Sequence, residues 1–194
     1  MPGEPAAHRT MTAGEYLAWE REQPSRHGFD RGVVFDMAGG SLRHNALVAS
    51  AIRLLGNLFE GKGRRVLATD MRIGVRPGEK YVYADASVVC GPIETETGTT
   101  DVLANPTILV EVLSPSTEAY DRGAKWVDYQ RLGSLRDYLL VSQDVARIEH
   151  YRREADGSWR YAIAEADGRV TLSSGAELEV DPVFEGVMDL PGGD

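Results

Sequence analysis

The amino-acid sequence predicts an α/β fold, α+β-like in that a mixed sheet is flanked by helices, and three features carry that prediction. Strand-like segments outnumber helical ones and straddle both longer helical segments, so the strands gather into a sheet on which the helices pack. Residues 42–60 repeat apolar side chains at helical spacing. Residues 107–113 form a short, β-branched apolar run, the pattern of a strand buried on both faces.

The elements follow in order. Thr12 with Glu15 three residues later is a capping-box pattern that opens a short helix to about residue 21, with Pro24 just beyond. Gly28-Phe29-Asp30 and Val33 to Met37, separated by Arg31-Gly32, read as two short strands joined by a tight turn. Gly39-Gly40-Ser41 is a loop able to cap the next helix, whose stripe is Leu47, Val48, Ala51, Leu54, Leu55, Leu58 and Phe59. Gly61 and Gly63 end it. Residues 64–90 are strand-like, with segments around Val66, Ile73 and 81–90 and a turn at Pro77-Gly78. A polar loop over 91–100 leads to the apolar run 107–113, and the turn Ser114-Pro115-Ser116-Thr117 to a second helix reaching about Leu132. Strands are expected over 137–141 and 145–151, then a hairpin turning at Asp156-Gly157 into 159–163. A last strand and a helical turn begun at Asp181-Pro182 lie within 175–187.

Composition bounds the function. With 194 residues, 42% hydrophobic and 26% charged, the chain suits one domain with a sizeable core, expected over 11–187 with tails at 1–10 and 188–194. No apolar run is long enough to cross a bilayer, and residues 1–10 lack the apolar stretch and cleavage site of a secretory signal; the cysteine usage sets the expected location as cytoplasmic. The single cysteine, Cys90, excludes a disulfide framework and is expected to be a buried, inert thiol. A net charge of −9 argues against coating nucleic acid by bulk electrostatics, while leaving room for a local basic rim around an acidic metal site.

Glu111 is the anomaly that carries chemistry, because a carboxylate amid Ile108, Leu109, Val110, Val112 and Leu113 must be protonated, paired or metal-bound. One reading is a structural ion pair with Arg72 or Lys125; the other is a site role. Asp85 opens the other strong strand and is either a strand-entrance cap or a second carboxylate. Two such carboxylates on neighbouring strands can share a hard cation, Mg²⁺ or Mn²⁺, with phosphate and water completing the shell. Lys125 stands four residues after Asp121, an order that suits a surface helix pair worth roughly 0.2–0.5 kcal/mol. Alternatively it projects toward Glu111, where its ammonium would orient attacking water and stabilise charge on a phosphate. His44 reads as a capping or surface residue and Asp70 as a turn residue. The chain has no phosphate-cradling glycine loop, no His-Glu-x-x-His and no Gly-x-Ser-x-Gly.

Taken together, Met11-Thr12 with Glu15-Tyr16-Leu17, His27-Gly28-Phe29, residues 32–37, Ser41 to His44, residues 84–89, Pro106 to Ser116 and Asp121 to Lys125 with Tyr129 resemble the Uma2 family of restriction-endonuclease-like proteins. The resemblance implies a PD-(D/E)xK nuclease fold, with Asp85 as the first metal-binding acid and Glu111 as the second. Leu113 stands where the usual motif lysine would be, and the corresponding lysine is the helix-borne Lys125. Two departures stand out: Ala84 replaces a common proline, and Gly28 stands where a glutamate usually follows His27. Asp30, two residues on, would share a strand face with position 28 and is an accessory candidate, as are His44 and Asp121. The implied function is a Mg²⁺- or Mn²⁺-dependent DNA endonuclease acting as a homodimer. The alternatives are a catalytically degenerate dimeric binding module of the same fold and a hydrolase for a small phosphoester.

Overall fold

The structure, a computed structural model, describes residues 10–37 and 39–192; of the expected tails, residues 1–9, 193 and 194 lie outside it. Helix α1 (Ala13–Glu20) starts at the Thr12–Glu15 capping box. Strands β1 (His27–Asp30) and β2 (Val33–Asp36) turn through Arg31 and Gly32 at φ 46° and 92°. Positive φ at both central residues gives the turn the twist a two-residue hairpin needs. Helix α2 (Leu42–Phe59) is capped by the Ser41 hydroxyl, which accepts from the His44 N–H at 3.1 Å.

Strands β3 (Arg64–Leu67), β4 (Arg72–Arg76), β5 (Lys80–Tyr83), β6 (Ala86–Cys90), β7 (Val102–Leu103) and β8 (Ile108–Val112) follow. The expected second helix is three pieces end to end: α3 (Glu118–Tyr120), a π-helical turn (Asp121–Lys125) and α4 (Trp126–Tyr129). Strands β9 (Asp137–Val141), β10 (Arg147–Arg153), β11 (Trp159–Glu165), β12 (Arg169–Thr171) and β13 (Glu177–Glu179) precede α5 (Asp181–Phe184). The short β7 and β12 have too few residues to show a sequence period.

The strands divide into three sheets: β2-β1-β5-β4-β7, β11-β10-β9-β8-β6-β3 and the pair β12-β13. Pairing is parallel at β8–β9 and β4–β7 and antiparallel elsewhere, so the fold is mixed α/β. One face of the six-stranded sheet packs Val88, Val110 and Leu139 against Leu47, Ala51 and Leu55 of α2. Its other face packs Val89, Leu109 and Leu140 against Ile73 and Val82 of the five-stranded sheet and Tyr129 of α4. Central strand β8 is therefore buried throughout, which is why its sequence does not alternate. The strand-like run 81–90 is broken at Ala84-Asp85, because β5 belongs to one sheet and β6 to the other. Asp85 thus lies where the chain crosses between the sheets. Cys90 is only partly buried and accepts a contact from Arg64 Nε at 3.1 Å. At the far end of the chain Arg43 donates to the carbonyls of Met188 and Leu190 at 3.0 and 2.9 Å.

Candidate active site

Register brings the two acids together. Ala86 pairs with Val110, so the next step out of the ladder sets Asp85 opposite Glu111. Two hydrogen bonds fix that step: the Asp85 N–H donates to the Val110 carbonyl at 3.1 Å, and the Val112 N–H donates to Asp85 Oδ2 at 2.7 Å. Both side chains line a cavity of about 490 Å³, bounded also by His44, Tyr120, Asp121 and Lys125.

Lys125 answers the charge of Glu111. Its Nζ lies 2.8 Å from Glu111 Oε1 and 3.1 Å from Asp121 Oδ1, with only 3% of the lysine side chain exposed. The i,i+4 pair with Asp121 exists but is buried, and of the two cations offered for Glu111 it is Lys125 that pairs with it. Arg72 instead pairs with Asp101. Removing charges from water costs several kcal/mol per ion unless partners compensate, and here one ammonium serves two carboxylates. The Tyr129 hydroxyl adds a hydrogen bond to Glu111 Oε1 at 2.9 Å, and the rings of Tyr120 and Tyr129 lie 5.8 and 5.9 Å from Nζ. The widened helical turn that carries Asp121 and Lys125 is the local geometry often found where a helix serves a site.

Burial pushes the Glu111 carboxyl up to about 8, with the charges of Asp121 and Asp85 adding to it and Lys125 opposing. Burial works against the Lys125 charge, but Glu111 and Asp121 outweigh it and hold the ammonium above its ordinary range. Burial also pushes Asp85 up, yet His44 and the Val112 N–H overcome it and keep this carboxyl below its usual value. The two acids therefore differ: Asp85 is ionised at neutral pH, while Glu111 is poised between states. For stability the sign follows from Glu111 binding its proton more tightly folded than unfolded. Its contribution is complete below the ordinary value of 4.5 and lost as pH rises through about 8. Glu111→Gln is expected to flatten that decline, measured as Tm from about pH 5 to about pH 9. Parallel profiles for the two proteins would count against the assignment.

His44 is neither cap nor surface residue: Ser41 caps the helix, and His44 Nε2 lies 3.3 Å from Asp85 Oδ2 with 15% of its side chain exposed. Its Nδ1 and the Tyr120 hydroxyl are buried without a hydrogen bond among the described residues. Asp30 does not line the cavity; it is bound to Lys80 at 3.0 Å and Arg76 at 3.1 Å. Asp70 is an exposed turn residue 3.9 Å from Arg26. Gly28 is buried against Phe35, its partner across β1 and β2. A Cβ at position 28 would meet Phe35 Cζ at 2.2 Å, and the Phe35 ring lines the cavity. Sequence reasoning does not single out Tyr120, Tyr129 or Phe35 as site residues. Tyr129 continues the four-residue spacing of Asp121 and Lys125, a signal that could have found it; Tyr120 and Phe35 carry none.

A divalent ion can be tested against these atoms. Asp85 Oδ1 and Glu111 Oε2 accept no hydrogen bond among the described residues, leaving two hard oxygen donors at one cavity. Among the described residues no group of three or more His, Cys, Asp and Glu side chains is arranged to hold a metal. An ion here would take two protein oxygens and fill its shell with water and phosphate, a mode common for Mg²⁺. The residues present fit that mode.

Comparison with known proteins agrees with the fold. Residues 13–190 match a family described as "Uma2: Putative restriction endonuclease". The chain is 36% identical over 178 residues to the uncharacterized protein slr1290 of Synechocystis sp., covering 91% of this chain and 93% of that protein. It is 30% identical over 154 residues to the uncharacterized protein sll1609 of the same organism, covering 79% and 87%. Among solved structures, the crystal structure of "a putative nuclease belonging to DUF820 from Anabaena variabilis" aligns with a TM-score of 0.70 at 17% identity, over 90% of this chain and 98% of that one. The architecture is restriction-endonuclease-like.

Proposed function

The chain belongs to the Uma2 family, and from that premise we propose that it is a Mg²⁺- or Mn²⁺-dependent endonuclease that hydrolyses DNA phosphodiester bonds. The observation that carries the proposal is the pair of neighbouring carboxylates, Asp85 and Glu111, each with an oxygen free of hydrogen bonds among the described residues, at the cavity that Lys125 also lines.

Asp85 and Glu111 would hold the ion, which supplies polarisation of the scissile phosphate and a lowered pKa for a bound water. Lys125 stays charged beside Glu111 and stabilises negative charge as it develops on the phosphate oxygens. Asp121 and the two tyrosines keep that ammonium in place. His44 orients Asp85 through its Oδ2, and Arg26, held by the Thr69 carbonyl at 3.0 Å, lines the cavity where a flanking phosphate would lie. Supercoiled plasmid incubated with either ion should be nicked, and a chelator should stop it. Folded protein that leaves plasmid intact with both ions would reject the proposal.

The Gly28–Phe35 contact favours a second reading, a non-catalytic binding module of the same fold. Gly28→Glu alone is expected to cost about 1–3 kcal/mol by overpacking against the Phe35 ring. Added to Phe35→Ala it should fit, and a third carboxylate should tighten Mn²⁺ about tenfold relative to Phe35→Ala alone, read by titration calorimetry. Mn²⁺ binding that appears only in the double variant supports the second reading. Equal affinity in the two variants shows that position 28 is no ligand position.

A further inference from the structure

A second cavity, of about 300 Å³, shares no lining residue with the first. Its walls include His150, Arg152, Arg160, Ala162, Ala164 and Arg169, a basic set in a chain of net charge −9. Strands β10 and β11 supply one wall. Their register sets Arg152 opposite Arg160 and His150 opposite Ala162, so two arginines are nearest cross-strand neighbours. Like charges placed directly opposite are destabilising. Glu154 answers Arg152 at 2.9 Å, and Glu177 answers Arg169 at 2.9 Å from β13. Arg160 has no acidic partner among the described residues. Asp137 against His150 and Glu179 near Arg169 add further negative charge, so Arg160 is the guanidinium left to bind an anion.

The buried member of the set is His150, 6% exposed. Its Nε2 lies 2.8 Å from Asp137 Oδ1, and Asp137 is itself fully buried and fixed by the Ser173 N–H at 2.9 Å and the Ser173 hydroxyl. The Nε2–H of His150 is committed to the Asp137 carboxylate, which leaves Nδ1 as an acceptor without a hydrogen bond among the described residues. Ala162 and Ala164 project only methyl groups, so the space between the arginines and the histidine stays open. An unpaired guanidinium opposite a second arginine, beside a methyl-lined gap, suits a small tetrahedral oxyanion, because guanidinium pairs with phosphate oxygens two at a time.

We propose that this pocket binds a phosphate monoester dianion through Arg160 and Arg152, with Arg169 closing its far side. Two sources share that chemistry: a free phosphate-sized anion and the 5′-phosphate terminus of a nucleic-acid strand. The reading stands on its own residues and does not depend on cleavage at Asp85 and Glu111.

Calorimetric titration of the whole chain with inorganic phosphate, at low ionic strength and with chelator present, tests it. Saturable binding with Kd on the order of 1 mM is expected. Arg160→Gln, at an exposed position that leaves folding intact, should weaken it at least about tenfold. Arg131→Gln, exposed and outside the pocket, should not change it. A 5′-phosphorylated thymidine oligonucleotide is then compared with its 5′-hydroxyl counterpart. Tighter binding than inorganic phosphate by the phosphorylated strand alone identifies the strand terminus as the source; no gain over inorganic phosphate identifies the free anion. Absence of saturable phosphate binding overturns the proposal, as does equal affinity in Arg160→Gln and the unaltered protein.

Discussion

Asp85→Asn is expected to slow metal-dependent plasmid nicking by about 10³-fold, with little change in Tm. The rate follows from the charge. Asp85 is the acid held ionised, by His44 at 3.3 Å and the Val112 N–H at 2.7 Å, so it anchors the ion at neutral pH while Glu111 is still poised near about 8. Lewis-acid stabilisation of the transition state is worth several kcal/mol, and about 4 kcal/mol corresponds to roughly 10³ in rate. The small effect on Tm follows from shape. Asparagine keeps an oxygen where Asp85 Oδ2 accepts from Val112, so the stitch between β6 and β8 survives. Mn²⁺ affinity measured beside the rate separates the two contributions. Nicking by the Asp85→Asn variant at the unaltered rate would remove Asp85 from the site and, with it, the two-carboxylate reading.

Much of the frame is legible because it obeys local rules. The Thr12 capping box, the Arg31-Gly32 turn and the α2 stripe are each written in residues within one turn or one helix face of each other. Glu111 announces itself by violating the pattern around it, and a buried charge needs a partner. What the chain does not reveal is long-range. That β5 and β6 belong to different sheets depends on β1 and β8, which lie far away in sequence. That Phe35 fills the space beside Gly28 depends on a cross-strand register no single segment encodes. His44 is left between a capping or surface residue and an accessory candidate for the same reason: Ser41 makes the local cap, and the contact to Asp85 reaches 41 residues ahead. Asp30 becomes a candidate on strand alternation alone, and the neighbours that claim it, Lys80 and Arg76, come from β5 and β4.

Lys125→Met is expected to cost about 3–5 kcal/mol, because it strips the cation from Glu111 and Asp121 while leaving both carboxylates 4% exposed. For a chain of this size about 1 kcal/mol moves Tm by roughly 2–4 °C, so the loss should be on the order of 10 °C. Methionine preserves much of the lysine's length, so the loss reports charge rather than an emptied cavity. Its pH dependence has a definite sign. Below about 8 Glu111 can take up a proton and shed part of the penalty; above it the carboxylate stays charged, and the gap to the unaltered protein widens. Two additions decide what the lysine compensates. Glu111→Gln combined with Lys125→Met should recover part of the loss, since contacting charges are non-additive. Mn²⁺ should also raise the Tm of Lys125→Met more than that of the unaltered protein, because an ion between Asp85 and Glu111 would replace the missing charge. If Mn²⁺ shifts neither protein while the double variant recovers, Glu111 and Lys125 form a structural ion pair and the cavity beside them is not a metal site.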